Sequence, residues 1–229
     1  MATGAVPVAS ALPERLREAT RELHTATERS GAMAALLAGR LPRAGYCALL
    51  RNLHALYAAL ETALVAHAAE PALLTLGADA LQRAPALAED LATLHGPGWA
   101  EALPLAPALQ AYVVRLQALQ AMSAVEAAPS LVAHAYVRYL GDLHGGQVLQ
   151  RLVARLYALP AGDSAPGTRF YDFGDTPQVL LRRQQIRRAL GSLPFDTAQQ
   201  DATVAEALWA FTQHRCLFEE LAAAPAAGG

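Results

Sequence analysis

The chain has 229 residues, 54% hydrophobic and 17% charged, with a formal net charge of −2. That is enough apolar material for one sizeable core, no long polar linker divides it, and the near-neutral balance gives nucleic-acid binding no support. All 18 basic residues are arginine, and an arginine stays charged and forks onto carboxylates in pairs, so their placement matters more than their sum.

Alanine and leucine dominate, and both lose little side-chain freedom in a helix, so the expected class is all-α. The whole of 1–229 reads as one domain, with tails at about 1–11 and 223–229, where small residues show no periodicity. Pro13 suits the first turn of a helix in which Leu16, Ala19, Leu23 and Ala26 recur at helical spacing to about residue 29. A second helix runs from about 42 to 68, with Leu49, Leu50, Leu53, Leu56, Tyr57 and Leu60 facing a core. Two more are expected over 78–94 and 107–126, separated by the breakers Gly96, Pro97, Gly98, Pro104 and Pro107. After Pro129 and Ser130 a long pattern reaches about Leu159, with Gly141, Gly145 and Gly146 in its middle. Helices over 176–191 and 196–222 complete a bundle of about eight.

Cys47 and Cys216 stand outside any CxxC or Cys/His ligand spacing, so both read as core thiols rather than as a disulfide or a zinc site. No apolar stretch is long enough to span a bilayer and no secretory leader is legible, which points to a cytoplasmic protein without membrane attachment. His54, His67, His95 and His134 form no HxxxH, HExxH or ExxH pattern and read as structural or exposed. Nucleotide-binding loops and serine-nucleophile elbows are absent too.

Three constellations carry possible chemistry. Arg17, Arg21, His24 and Glu28 share one helical face, where Glu28 can accept from one imidazole nitrogen and leave the other free for a metal. The same residues also fit an ordinary solvated face, with the arginines paired to Glu14, Glu18 or Glu22. In the second, three glycines inside one helix sacrifice about 3 kcal/mol of propensity. Gly141 and Gly145 lie one turn apart, so that a flat ligand such as a porphyrin can lie against bare backbone, or another helix can pack closely. Asp142 beside them is a carboxylate that needs partners in an apolar bundle, ordered water among them. In the third, Arg183 and Arg187 share a face between Arg182 and Arg188; they can hold two carboxylates such as propionates or serve a solvated basic surface.

The segments LREATRELHTATE at 16–28 and YVRYLGDLHGGQVL at 136–149 resemble the two signature stretches of the heme oxygenase family. Similarity continues through GYCALLRNLHALYAALE at 45–61, GPGWAEALPLAPALQAYVVRL at 96–116 and FTQHRCLFEEL at 211–221, in the family's order. The resemblance implies heme b, substrate and cofactor at once, sandwiched between a proximal helix and a kinked, glycine-rich distal helix. It implies His24 as the proximal iron ligand, with Glu28 supporting it and Arg17, Arg183 and Arg187 near the propionates. Gly141 and Gly145 would make backbone contacts over the heme, with Tyr136 and Phe211 also in the heme-binding set. Asp142 would be the distal carboxylate acting through ordered water, within a network that includes Tyr57, Arg138 and Tyr139.

The implied reaction uses dioxygen and external electrons to open heme to biliverdin, with α-meso regiochemistry, releasing carbon monoxide and ferrous iron. The implied partners are an electron donor such as ferredoxin or an NAD(P)H-dependent reductase, and a phytochrome or biliverdin reductase as recipient of the product. A heme carrier or sensor without turnover is the alternative. Three departures stand out: His144 where serine is usual, His214 in place of an asparagine, and Val137 in place of a threonine. Either histidine is a candidate pH-sensitive partner of the distal water, and His144 a candidate sixth iron ligand.

Overall fold

The computed structural model describes residues 11–77, 81–160, 162 and 165–224, and the chain's first ten residues, which hold most of the expected N-terminal tail, lie outside them. Among the described residues every regular element is helical. The order is α1 (Leu12–Glu28), α2 (Gly31–Leu37), α3 (Arg43–Ala66), α4 (Pro71–Leu76), α5 (Ala84–Leu94), α6 (Trp99–Ala102), α7 (Pro107–Ala121) and α8 (Ala124–Ala135). A π-helical segment (Tyr136–Leu140), α9 (Gly141–Leu156), a 3₁₀ turn (Arg169–Tyr171), α10 (Thr176–Ser192) and α11 (Thr197–Ala223) follow. No helix among the described residues is long and apolar enough to cross a membrane.

Two long helices organise the packing. α3 buries Tyr46, Leu49, Leu50, Leu56, Tyr57 and Leu60 against α5 and α7. α11 lies against α1, α2, α7 and α8, and buries Ala207, Ala210, Leu217 and Phe218. Both α10 and α11 open with a capping box, in which Asp175 pairs with Gln178 and Asp196 with Gln199. Each aspartate satisfies an N–H that the first turn leaves without a partner.

The differences from the expected elements have local causes. Short helices α2, α4 and α6 carry too few turns for a periodic signal. The helix expected over 78–94 begins only at Ala84, with residues 78–80 outside the described set. The one expected over 107–126 stops at Ala121, and α8 starts after Ser123, so the next helix begins before Pro129 rather than after it. Pro129 forfeits a bond to the carbonyl of Val125, and Val125 is exposed, so water can take that carbonyl. Cys47 is buried as expected, whereas Cys216 is only half-buried.

The three glycines divide by role. A Cβ on Gly146 would meet the Tyr171 carbonyl oxygen in ordinary van der Waals contact at 3.5 Å, so this glycine sits packed against the 3₁₀ turn. That turn is held in place by Asp90, whose buried carboxylate accepts from the backbone N–H groups of Arg169 and Phe170 at 3.0 and 2.8 Å. Gly141 meets nothing within 4 Å, and Gly145 meets only the side chain of Leu149 at 3.9 Å. Those two leave an open strip of backbone on α9.

Candidate active site

The irregularity of the distal helix lies just before the glycines rather than at them. Five residues, Tyr136–Leu140, adopt π geometry between α8 and α9. A π segment changes the angular phase of everything after it, and such segments recur at functional sites. Here the segment supplies Arg138, and the next turn supplies Asp142.

Asp142 is gripped from two sides. Its Oδ1 accepts from Arg138 Nη2 at 3.0 Å, and its Oδ2 accepts from the Tyr57 hydroxyl. Arg138 Nε also donates to the Tyr57 oxygen at 3.2 Å, closing a three-residue ring of bonds between α3 and the distal helix. Burial pushes the Asp142 carboxyl above its ordinary range, while the Arg138 charge and the Tyr57 hydrogen bond pull it back. Protein side chains thus supply partners that the sequence left to trapped water.

His214 completes the ring from α11. Its Nδ1 lies 2.7 Å from the Ala210 carbonyl and so carries the proton, which leaves Nε2 to accept from Arg138 Nη1 at 3.1 Å. Burial, with the Arg138 charge beside it, lowers its pKa to about 3. The expectation of a titrating His214 is therefore corrected: it is a fixed neutral acceptor at any pH near neutrality.

Tyr139, expected in the same network, packs its ring 5.8 Å from that of Tyr57, but its buried hydroxyl has no partner among the described residues. Val137 is buried, so no hydroxyl replaces that of the family's threonine. Behind the ring sits a second polar cluster that sequence inspection missed. Glu206 on α11 accepts from Arg115 at 2.6 and 2.9 Å and from Ser130 at 3.1 Å, and lies 3.1 Å from His134 Nε2. His134 Nδ1 is 2.8 Å from the Tyr112 hydroxyl, and the Tyr112 ring meets His214 edge-on at 5.4 Å. These residues come from three helices, so no spacing within one helix could reveal them.

α1 packs on α11 and α10, α9 also packs on α10, and α1 and α9 do not pack closely on each other, so the space between α1 and α9 is the candidate slot. His24 is exposed towards solvent, with the Phe211 ring edge-on at 5.7 Å. Its Nε2 stands 3.8 Å from Glu28 Oε1. Tyr136, at the start of the π segment, reaches Thr20 on α1 at 3.4 Å between oxygens and so ties the two walls together.

On α10, Arg183 and Arg187 enter no ion pair among the described residues, and both act electrostatically on His144, as does His24. Arg17 is exposed on α1. Val148, in phase with Gly141 and Gly145 on α9, is 57% exposed.

These features fit a flat, largely apolar metal chelate with acidic side arms: an exposed imidazole, bare backbone on the facing helix, an exposed apolar residue, and unpaired guanidiniums. A cavity of about 580 Å³ lined by Thr75, Leu81, Gln178, Leu181 and Arg182 lies between α4 and α10, and among the described residues its lining offers no imidazole or carboxylate. Among the described residues no group of three or more His, Cys, Asp or Glu side chains is placed to hold a bare metal ion.

A family model described as heme oxygenase matches residues 10–220. Heme oxygenase 1 of Nostoc sp. is 33% identical over 93% of this chain and 87% of its own length. Human heme oxygenase 1 is 36% identical over 92% of this chain and 71% of its own. Among solved structures, heme oxygenase-2 from Synechocystis sp. in complex with heme and NO superposes with a TM-score of 0.85 at 35% identity, covering 93% of this chain and 85% of that one. The heme oxygenase of Leptospira interrogans gives 0.84 at 32% identity, covering 92% and 100%.

Proposed function

The chain belongs to the heme oxygenase family, and from that premise we propose that the slot between α1 and α9 binds heme and that the Asp142 network directs its oxidative opening to biliverdin. When bound, heme supplies both the ring to be cleaved and the iron that activates dioxygen. The rest is positioning and proton handling by this chain.

His24 is the proposed axial ligand, with Glu28 one turn on to accept from the other ring nitrogen and so hold the imidazole neutral and oriented. A neutral imidazole favours ring opening over early O–O cleavage, which a strongly donating thiolate would promote. Arg183 and Arg187 on α10, with Arg17 on α1, are the proposed partners of the propionates, where paired guanidiniums give strong charge-assisted bonds. Tyr136 and Phe211 wall the slot beside His24. Gly141 and Gly145 let the distal backbone lie against the ring, and close backbone limits which meso carbon is reached; the α position is part of the proposal.

Asp142 is the proposed proton-delivering group. Tyr57 and Arg138 hold its carboxylate at the edge of the glycine strip, burial raises its proton affinity, and His214 fixes Arg138 without titrating itself. This held carboxylate beside bare backbone is the observation that carries the reading, because a protein that only stores heme has no use for it. The same proposal includes action as a single domain in the cytoplasm, electrons from a ferredoxin or NAD(P)H-dependent reductase, and delivery of biliverdin to a phytochrome or a reductase.

The test mixes purified protein with one equivalent of hemin, adds reductant under air with catalase to remove free peroxide, and identifies the pigment by chromatography. Loss of the Soret band with formation of biliverdin, abolished in Asp142→Ala, is the expected result. Stable heme without biliverdin under these conditions would establish a carrier or sensor instead.

A further inference from the structure

His144 stands where a serine is usual, and none of the roles assigned above uses it. In α9 it lies three residues after Gly141 and one before Gly145, at the edge of the bare strip, and it is exposed. Its Nδ1 is 2.6 Å from the Leu140 carbonyl, which can only accept, so Nδ1 carries the proton and Nε2 keeps its lone pair. This is the arrangement that metal-binding histidines use: one ring nitrogen donates to a carbonyl, and the other is left as ligand. A serine at this position offers a hydroxyl, which is a poor ligand for heme iron.

The groups that face His144 from neighbouring helices are Arg183 and Arg187 on α10 and His24 on α1. Partial burial disfavours the charged imidazole, and against the opposing bond to the Leu140 carbonyl the two arginines add to that effect, which favours the neutral ring with its lone pair available. His24 on α1 is near enough to act electrostatically on His144 on α9.

Resting on the heme-binding reading above, we propose that His144 Nε2 is a second axial ligand, occupying the iron's coordination position opposite His24 in the ferric resting complex. His144 must then swing away before any exogenous ligand binds, so the resting enzyme is self-closed. The fraction of open sites scales every ligand-binding rate at that position.

The experiment reconstitutes the full chain and its His144→Ser variant with one equivalent of hemin and records absorption and low-temperature electron paramagnetic resonance of the ferric complexes. The expected result is a low-spin, bis-imidazole signature in the native chain and a high-spin signature in His144→Ser at equal heme stoichiometry. Cyanide binding supplies a second readout that does not depend on how the variant folds. In the native chain its rate should level off at high cyanide, limited by departure of His144, and should run roughly tenfold or more below that of the variant. A high-spin native complex, a low-spin signature that survives His144→Ser, or a cyanide rate that stays linear in the native chain would each overturn the assignment while leaving heme binding intact. Failure of the native chain to bind heme at all would overturn the underlying reading together with it.

Discussion

Asp142 and His214 are coupled through one guanidinium, and their opposite protonation tendencies define how the distal ring should behave. Burial raises the aspartate, so its carboxyl accepts a proton more readily than an exposed one, while Arg138 keeps the shift in check. Replacing Asp142 by Asn keeps the shape but removes the proton store; biliverdin formation should fall by about 10²-fold or more with heme stoichiometry unchanged, measured by single-turnover absorption. His214 behaves in the reverse sense. Its folded pKa of about 3 lies below the ordinary 6.5, so the unfolded chain binds a proton that the folded one refuses. The stability it contributes is present above about pH 6.5 and is lost as pH falls towards 3. In His214→Asn the slope of unfolding free energy against pH across that window should shrink by up to about 1.4 kcal/mol per unit. Urea titrations of both proteins at a series of pH values would show this, and equal slopes would mean that His214 is not held neutral.

The distal element is a compromise between helix stability and access to backbone. Gly141 and Gly145 weaken α9, yet nothing in the protein occupies the space their side chains would take. Gly141→Ala should therefore stabilise the protein without heme by up to about 1 kcal/mol, seen as a higher thermal midpoint, while weakening heme binding in a Soret titration. Gly146 differs, because it is packed against the Tyr171 carbonyl, which a Cβ there would meet in ordinary contact. The π segment sets the phase of this element.

Across the whole molecule, Glu206 fastens α11 to α7 and α8 behind the site. Burial alone would raise its carboxyl, but the bonds to His134 and Arg115 prevail and hold it at about 2, against an ordinary 4.5. Its stabilisation is present above about pH 4.5 and is lost as pH falls towards 2. Glu206→Gln leaves Arg115 without its carboxylate and breaks a half-buried pair, so it should cost about 2 kcal/mol at neutral pH and remove this acid-labile step. Urea unfolding at pH near neutral and in acid would check both parts. Because α11 also carries His214 and Phe211, the loss should reach both sides of the slot.

Much of this architecture was legible in the chain itself. Helical periodicity placed α1, α3, α10 and α11 within a few residues, since each is long and buries one continuous face. His24, Gly141, Asp142 and Gly145 could be singled out as candidates because chemistry and spacing coincide within a turn or two of one helix, while the roles proposed for them came from the family resemblance. What tertiary structure alone decided were relations between helices. It separated Gly146, which packs, from Gly141 and Gly145, which stay open; all three are identical in sequence. It moved the irregularity ahead of the glycines, because π winding has no residue signature of its own. It made His214 a neutral acceptor rather than a titrating group, because burial and Arg138 act on it from outside its own helix. It left the Tyr139 hydroxyl outside the bonds around Asp142, and it assembled Glu206, Arg115, Ser130 and His134 from three helices. Local sequence determines which face a helix offers, whereas partners, dielectric and protonation depend on what folding brings against that face.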